Sequence, residues 1–323
     1  QRGNNGVILI TTKSGKMKKN IGINFSSDFS IGEGLVLPDF QNVYGQGFDG
    51  NFTHFRGSDN LIYTMAKATA LGISGMPKAS AGRDKLTRGS WGAKMDGQQY
   101  EDQYGHVLNF DPQPNTYDFF NPEKTYTNNL SIDGGTEKMN YRFSAANTHN
   151  DGYVPTNKLD RNTFNLKVNS DLTPKLQFEA MVNYVNQKVK NRPRLSDAND
   201  NPAYLFISMP RNLSLESLKQ YTWTADEIKN QLGFSSSNLY EGLEKTYATN
   251  SSTANPYWTI NKQYNEDQRD RIIGYFKLSY TIAPWLKVTG KTGTDYFVDE
   301  RLFWRAEGTY STTNKNGDIQ DFV

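Results

Sequence analysis

The sequence predicts an all-β fold, an antiparallel transmembrane β-barrel to which this chain contributes about seven strands. Two patterns indicate this: apolar and polar residues alternate in seven segments, and the connections between the segments are alternately short and long. A third observation is that charged residues keep to one side of every segment. Strands with one side in hydrocarbon and the other in water explain all three, because a membrane-spanning barrel wall needs both sides.

Composition excludes several classes of protein. Hydrophobic residues make up 36% of the 323 residues and aromatic residues 13%, so a large conventional core is hard to build, yet disorder is disfavoured. No run approaches the ~18 apolar residues of a transmembrane helix. The 36 basic and 34 acidic residues give no electrostatic case for nucleic acid as a partner. Cysteine is absent, which excludes disulfides and thiolate metal sites.

The segment LQFEAMVNYV, which ends at Val185, shows the alternation most clearly, because its apolar residues repeat with the period of a β-strand. These residues are Leu176, Phe178, Ala180, Val182 and Tyr184. The same pattern predicts strands at about 21–31, 126–133, 139–147, 162–171, 176–186, 272–280 and 286–296. A short helix is expected near LSLESLKQY, residues 213–221.

The lengths of the connections predict which ends of the strands share a side of the membrane. Tight turns are expected at 134–138, 172–175 and 281–285. Longer loops are expected at about 32–124, 149–161, 188–266 and 298–323. If the first strand rises from the periplasm, every tight turn is periplasmic and every long loop is extracellular, as in outer-membrane barrels.

Charge is distributed unequally between the two sides of the predicted strands. The apolar side has 37 positions and no charged residue, whereas the opposite side has ten. These are Asp28, Asp133, Arg142, Lys167, Asp171, Glu179, Lys277, Lys287, Lys291 and Asp295. A lipid-facing cation costs about 2–4 kcal/mol at mid-bilayer, which explains the exclusion. A water-soluble sandwich would also exclude charge from its inner faces, so charge alone leaves both alternatives open.

Several segments resemble, in order, the SusC/RagA-type TonB-linked outer-membrane transporters. NGVILITTKSGK (5–16) is similar to the end of the plug domain, and LSIDGGTEKMNYRFSAANTHNDGYV is similar to the second and third strands. RNTFNLKVNSDLTPKLQFEAMVNY resembles strands four and five, and NPYWTINKQYNEDQRDRIIGYFKLSYTIAPWLKVTGKTGTD resembles the approach to strands six and seven. The resemblance implies a 22-strand plugged barrel, in which residues 1–16 end the plug and residues 17–323 begin the barrel. The chain is therefore expected to be a fragment that needs the remaining plug and barrel segments.

The resemblance also implies a function and partners. It implies TonB-dependent import of an oligosaccharide or oligopeptide across the outer membrane of a Gram-negative bacterium. A SusD-like surface lipoprotein would act as a lid, the TonB–ExbB–ExbD complex would supply energy, and outer-membrane lipid would surround the barrel. The alternatives are a siderophore-type TonB-dependent receptor and, from a different class, a soluble or surface-attached β-rich binding or adhesive protein.

Catalysis is not expected, and no cofactor is predicted. The three histidines, His54, His106 and His149, lack the spacing of a metal or catalytic motif, and no GxSxG occurs. SDANDN (196–201) is better interpreted as a solvated turn than as a calcium site, because it lacks the EF-hand spacing.

Aromatic residues in the two longest predicted loops are candidates for contact with substrate or partner, because sugars stack on such rings and peptides pack against them. The alternative is that they form small cores within the loops. The candidates are Phe40, Tyr44, Phe48, Trp91, Tyr204 and Trp223.

Overall fold

The computed structural model describes residues 21–34, 37–78, 89–196, 198, 200–227, 242–246, 254–309 and 318–322. The predicted end of a plug domain at residues 1–16 lies outside these ranges. Among the described residues, no helix is both long enough and apolar enough to cross a membrane.

The described chain forms a large antiparallel sheet and a small five-stranded sheet. The strands are β1 Gly22–Gly32, β2 His54–Gly57, β3 Ile62–Thr64, β4 Gly75–Lys78, β5 Gln99–Glu101, β6 Val107–Asn109, β7 Glu123–Gly135, β8 Met139–Asp151, β9 Lys158–Thr173, β10 Leu176–Lys190, β11 Gln263–Ala283, β12 Leu286–Arg305 and β13 Asp318–Phe322. The helices are α1 Met65–Leu71, α2 Asn115–Phe119, α3 Pro202–Ser208, α4 Leu215–Lys219 and α5 Pro256–Lys262.

The large sheet is a meander in the order β1-β7-β8-β9-β10-β11-β12-β13, with neighbouring strands antiparallel. Its topology confirms the predicted fold class: six of the seven predicted segments lie within one of its strands, and the first begins one residue before β1. The predicted tight turns are present as the short connections 136–138, 174–175 and 284–285. The helix expected near 213–221 is α4, which begins after the N-cap residue Ser214.

Cross-strand register keeps the apolar residues of seven strands on one face. One row across the sheet, from β1 to β12, is apolar or small, and the adjacent row from β7 carries charge. The first row is Ile23, Ile132, Phe143, Leu166, Val182, Gly274 and Thr294. The second is Asp133, Arg142, Lys167, Met181, Tyr275 and Gly293. The sheet therefore has a continuous apolar face and a continuous polar face.

The apolar face is the exposed one. Phe25 is 65% exposed, Leu166 45% and Phe276 52%, whereas Lys167 and Ser279 on the polar face are buried by their neighbours. In a water-soluble sheet the opposite holds, because apolar side chains are packed against a second layer. Among the described residues, no second layer covers the apolar side of this sheet, as the sandwich alternative would require.

Several strands extend further than the sequence predicts, which corrects two predicted loops. The loop expected at 149–161 shrinks to the turn 152–157, and the loop expected from 298 begins only after Arg305. Strand β11 begins at Gln263, nine residues before the predicted start. The extension of β11 escaped prediction because both of its faces are polar, as in EDQRDR (266–271), so the apolar alternation ends while backbone pairing continues.

The two longest connections, expected to be irregular, fold into a packed unit. We call this unit the cap: the described residues of 33–122, 152–157 and 191–262. Its main hydrophobic cluster joins all three segments. The buried members are Tyr104, Phe119, Val154, Leu205, Phe206, Met209, Leu213, Leu218, Ala254 and Ile260. A second cluster, centred on Tyr100 and Phe110, lies beside the small sheet β3-β2-β4-β5-β6.

Truncation of Phe206 should open the cap without unfolding the sheet. Phe206 is fully buried, and its ring centroid lies 4.4 Å from that of Phe119 in another segment. Phe206→Ala should destabilise the cap by about 3–5 kcal/mol, measured as faster hydrogen exchange of cap amides. The neighbouring Ile207 is exposed, so Ile207→Ala is the matched control. Equal exchange in the two variants would contradict a cooperative cap core.

Candidate binding surface

Arg211 is the polar centre of the cap. Its buried guanidinium donates to Asn115 Oδ1 at 2.5 Å and to the Gln113 carbonyl oxygen at 2.8 Å. It also donates to Asn42 Oδ1 at 3.2 Å and lies 4.8 Å from the ring centroid of Phe40. One side chain from the 191–262 connection therefore ties together two distant parts of the 33–122 connection. Phe40, a candidate contact residue, has a structural partner here, and its contact role stays a prediction.

Trp223 lies against other residues of the cap, and Tyr204 is partly buried within it. Lys245 Nζ lies 5.3 Å from the ring centroid of Trp223, and Tyr104 meets that ring edge-on at 6.3 Å. Tyr204 is half-buried on α3, next to the fully buried Leu205. Trp223 therefore packs against a small core of the cap, which is the alternative role that the sequence left open, and the contact roles of Trp223 and Tyr204 stay predictions.

The other three candidates are brought together on the surface. Tyr44, Phe48 and Trp91 are 49%, 51% and 77% exposed, and we call them the aromatic edge. Their segments are joined by backbone hydrogen bonds: Gly45 N–H donates to the Ala93 carbonyl at 3.1 Å, and Gly50 N–H donates to the Trp91 carbonyl at 3.0 Å. The aromatic edge therefore belongs to an ordered part of the cap.

Glycine makes this close approach possible. A Cβ added at Gly92 would lie 2.3 Å from the Gln46 carbonyl oxygen and 2.5 Å from the Gly47 Cα, so no larger residue fits. Gly47 has φ of 148°, which is also unfavourable for side chains. The glycines of YGQG (44–47) and WG (91–92) are the sequence signal for the contact between these two segments. Neither motif alone indicates that the other is its partner.

A buried ion-pair group anchors the small sheet. Lys78, which is fully buried, donates to Glu101 Oε1 at 2.7 Å, and Arg56 Nη2 donates to the same oxygen at 2.6 Å. Burial lowers the pKa of Lys78 despite its carboxylate partner. Burial would raise the pKa of Glu101, but the hydrogen bonds from Arg56 and Lys78 outweigh it, and the net shift is downward. Removing Glu101 would leave the buried Lys78 ammonium without its carboxylate, at a cost of about 3–5 kcal/mol.

His106 forms a second polar contact in the cap. Its Nδ1 lies 3.1 Å from Oδ2 of the buried Asp102, and the hydrogen bond to Asp102 raises the pKa of His106. Ser217 Oγ lies 3.4 Å from the same Nδ1. In a nucleophile–base relay the serine and the carboxylate contact different ring nitrogens, so this arrangement does not have that geometry.

The SDANDN turn uses its described carboxylate in ion pairs. Asp200 accepts from Arg305 at 3.0 Å and lies 3.6 Å from Arg194 Nε, and Asp197 lies outside the described residues. Within the described ranges, no cluster of three or more histidine or acidic side chains could hold a metal ion.

On the polar face of the large sheet, six of the ten predicted charged residues form cross-strand ion pairs. Glu179 Oε2 lies 2.5 Å from Lys277 Nζ, and its other oxygen lies 3.7 Å from Lys167 Nζ. Arg142 donates to Asp133 at 3.3 Å. These ion pairs connect neighbouring strands on the polar face.

The fold and its two-faced sheet define the class: an antiparallel barrel-type wall with a folded cap at the end of its strands. No known protein family matches the sequence, and neither does any curated protein. Among solved structures, the RagAB peptide importer in the "closed-closed" state is similar, with a TM-score of 0.55 at 14% identity. That match covers 99% of this chain and 33% of the other.

A second solved structure, the RagAB peptide importer in the "open-open" state, matches with a TM-score of 0.55 at 15% identity. This second match covers 98% of this chain and 32% of the other. The chain thus spans about a third of the chains it resembles, and the likeness shows the fold.

The stability of the cap should depend on pH through His106. Because its pKa is raised in the folded state, the folded cap binds this proton more tightly than the unfolded chain. The stabilisation is complete below about pH 6.5 and is lost as pH rises through the folded-state pKa.

Hydrogen exchange of cap amides between about pH 5.5 and 8.5, corrected for intrinsic rates, measures this effect. His106→Gln should flatten the pH dependence of the opening free energy. Ser217→Ala removes only the longer contact to His106 Nδ1, so this variant should keep the pH dependence of the opening free energy. Identical profiles for His106→Gln and the unsubstituted protein would show that the Asp102 contact is not formed.

Proposed function

We propose that this chain forms part of the wall and the external cap of an outer-membrane transporter. The transporter imports an oligosaccharide or oligopeptide with energy from TonB–ExbB–ExbD and with a SusD-like surface lipoprotein as its lid. The observation that carries the proposal is the exposed apolar face, kept in register across seven strands. The fold likeness to a peptide importer supports it.

The dimensions of the apolar face fit a bilayer. On β11 it runs from Ile272 to Ile282, eleven residues whose ten steps span about 34 Å along the strand, which is about 24 Å across a membrane at a tilt of about 45°. The apolar band of outer-membrane barrels is about 25 Å tall. On the same face charge resumes at Asp270, immediately beyond the band.

Aromatic side chains flank this band at both ends, as they do at membrane interfaces. Tyr184 and Tyr296 lie at the cap end, and Tyr280 and Trp285 lie at the turn end, where Trp285 is largely exposed. In this orientation the polar face lines the interior, the cap is extracellular and the short turns are periplasmic.

The cap is the proposed contact region for the lipoprotein and the substrate. Its aromatic edge exposes three large rings on a backbone held by Gly47 and Gly92. Exposed aromatic side chains on an ordered surface are typical of protein interfaces. In this proposal the chain passes its substrate onward without altering it chemically.

A charge on the apolar face should block membrane assembly. Leu166→Lys, in the middle of that face, should cost about 2–4 kcal/mol of folding free energy in lipid. Asn165→Lys places the same charge one residue away on the polar face and is the matched control. The measurement is the folded fraction of the whole transporter in outer-membrane fractions. Equal folding of the two variants, or a protein that stays folded in buffer without detergent, would refute the lipid contact.

The aromatic edge should contribute to capture of the lipoprotein. Phe48→Ala with Trp91→Ala should weaken its binding by at least about tenfold, since exposed aromatic anchors contribute ~1–3 kcal/mol each at interfaces. Leu71→Ala removes an exposed apolar side chain elsewhere in the cap and should leave affinity unchanged. Biolayer interferometry with the purified transporter measures both. If the double variant binds as tightly as the Leu71→Ala control, the aromatic edge is not the interface.

A further inference from the structure

Arginine side chains are concentrated on the polar face where β11 and β12 approach the cap. In the antiparallel register Arg269 lies opposite Asp299, Asp267 opposite Arg301, and Arg271 opposite Phe297. Arg192 and Arg194, which follow β10, join the same region through their acidic partners. We call this set the arginine ladder; its members are Arg192, Arg194, Arg269, Arg271 and Arg301.

The arginines and their partners are not equally accessible. The five arginine side chains are 41–53% exposed, whereas those of Asp200, Asp267 and Asp299 are 7%, 9% and 19% exposed. Asp295, paired with Arg271, is the exception at 50%. Most of the carboxylates thus lie beneath the guanidinium groups, and a molecule that meets this surface contacts cations first.

The polar face from β8 to β12 has the same bias, whereas β1 and β7 add only acidic side chains to that face, namely Asp28, Glu123 and Asp133. On β8 to β12 it carries ten basic side chains and five acidic ones, although the chain as a whole is almost balanced. The basic residues are Arg142, Arg161, Lys167, Arg269, Arg271, Lys277, Lys287, Lys291, Arg301 and Arg305. The acidic residues are Asp171, Glu179, Asp267, Asp295 and Asp299. Such a surface raises the local concentration of anions.

A small cavity adjoins the arginine ladder and offers unsatisfied polar groups. It has a volume of about 30 Å³ and is lined by Arg192, Arg194, Gln263 and Phe303, among others. Gln263 is 94% buried, and its amide Nε2 has no hydrogen-bond partner within the described structure. The buried Oδ1 of Asn191, also in the lining, is likewise unpartnered there. A buried donor of this kind requires an acceptor, and the volume suits a few atoms of a ligand or two water molecules.

The spacing of the arginines suits an extended ligand. Arg269 and Arg271 are two residues apart on one strand, or about 7 Å, and alternate residues of an extended peptide repeat at the same distance. Arginine forks bind carboxylates with directed, charge-assisted hydrogen bonds. Phe297, exposed and 5.7 Å from the Arg269 guanidinium, adds an apolar surface for the rest of the chain.

We propose that the arginine ladder and the adjoining cavity form a recognition site for the carboxylate groups of an extended oligomer. The ligand is an acidic oligopeptide or a uronate-containing oligosaccharide, and this inference rests on the proposed function of import. The site selects substrates by charge at the end of the wall nearest the cap, where they enter the interior.

Binding of matched ligands to the whole detergent-solubilised transporter tests this inference. The ligands are two peptides of equal length, one with glutamate and one with glutamine at alternate positions, together with oligogalacturonate and a neutral oligosaccharide of equal length. The acidic member of at least one pair should bind about tenfold more tightly at low salt. The preference should shrink as ionic strength rises. If the peptide pair shows the preference, the ligand is an acidic peptide; if the saccharide pair shows it, the ligand is a uronate-containing saccharide.

Arg269→Gln with Arg301→Gln should reduce this preference to near unity while leaving binding of the neutral ligand unchanged. Arg301→Lys keeps the charge and should retain part of the preference. Lys188→Gln, on the opposite face of the sheet at a similar height, is the control and should change nothing. Heat-modifiable migration of each variant confirms that its barrel is folded.

The other outcomes count against the inference in distinguishable ways. Equal binding of acidic and neutral ligands would overturn the carboxylate site while leaving the proposed import function intact. If no peptide or saccharide binds, the proposed function and the inference both fail. A double variant that is folded but loses neutral and acidic ligands alike would show that the arginines hold the wall or an adjoining plug segment instead.

Discussion

The structure depends on the register of the large sheet, which holds charged and apolar rows one residue apart. Asp133, Arg142 and Lys167 form a row directly beside Ile132, Phe143 and Leu166. A slip of one residue in any strand would carry its charges to the apolar face, because side chains alternate with a period of two. The pairing of each strand is therefore fixed by its neighbours on both sides, and the tight turns add local constraints at one end only.

The strands continue beyond the apolar band because a different interaction replaces hydrophobic patterning there. Between Gln263 and Arg271 neither face of β11 is apolar, yet pairing with β12 is uninterrupted. Ion pairs such as Arg269 with Asp299 connect the two strands on the polar face. The extension brings the wall to α5 and the 191–262 connection, whose Arg211 in turn fixes the 33–122 connection. Wall and cap are thereby coupled through polar contacts rather than a shared apolar core.

The strands could be predicted because the alternation of apolar and polar residues is visible within one segment. The cap could not, because it is held by contacts between residues far apart in the sequence. Alternation within ten residues is enough to identify β10. By contrast, Phe206 packs on Phe119, 87 positions earlier in the chain, and no periodicity within either segment indicates that contact. The candidate aromatic residues show the same limit. Phe40 and Trp91 look alike in sequence, but Arg211 holds the first while the second is exposed.

The placement of acids beneath arginines has a physical explanation that also bears on function. Several arginines close together would repel one another, so a cationic surface needs compensation within the wall. Carboxylates such as Asp267, flanked by Arg192 and Arg301, supply it from below. Because the side chains of Asp267 and Asp299 are only 9% and 19% exposed, they repel an anion from solution weakly. The guanidinium groups above them are more exposed and can donate further hydrogen bonds. A wall that only needed neutrality could expose both signs equally, as the Arg271 and Asp295 pair does. The unequal exposure elsewhere is the observation from which we infer anion binding at this part of the wall.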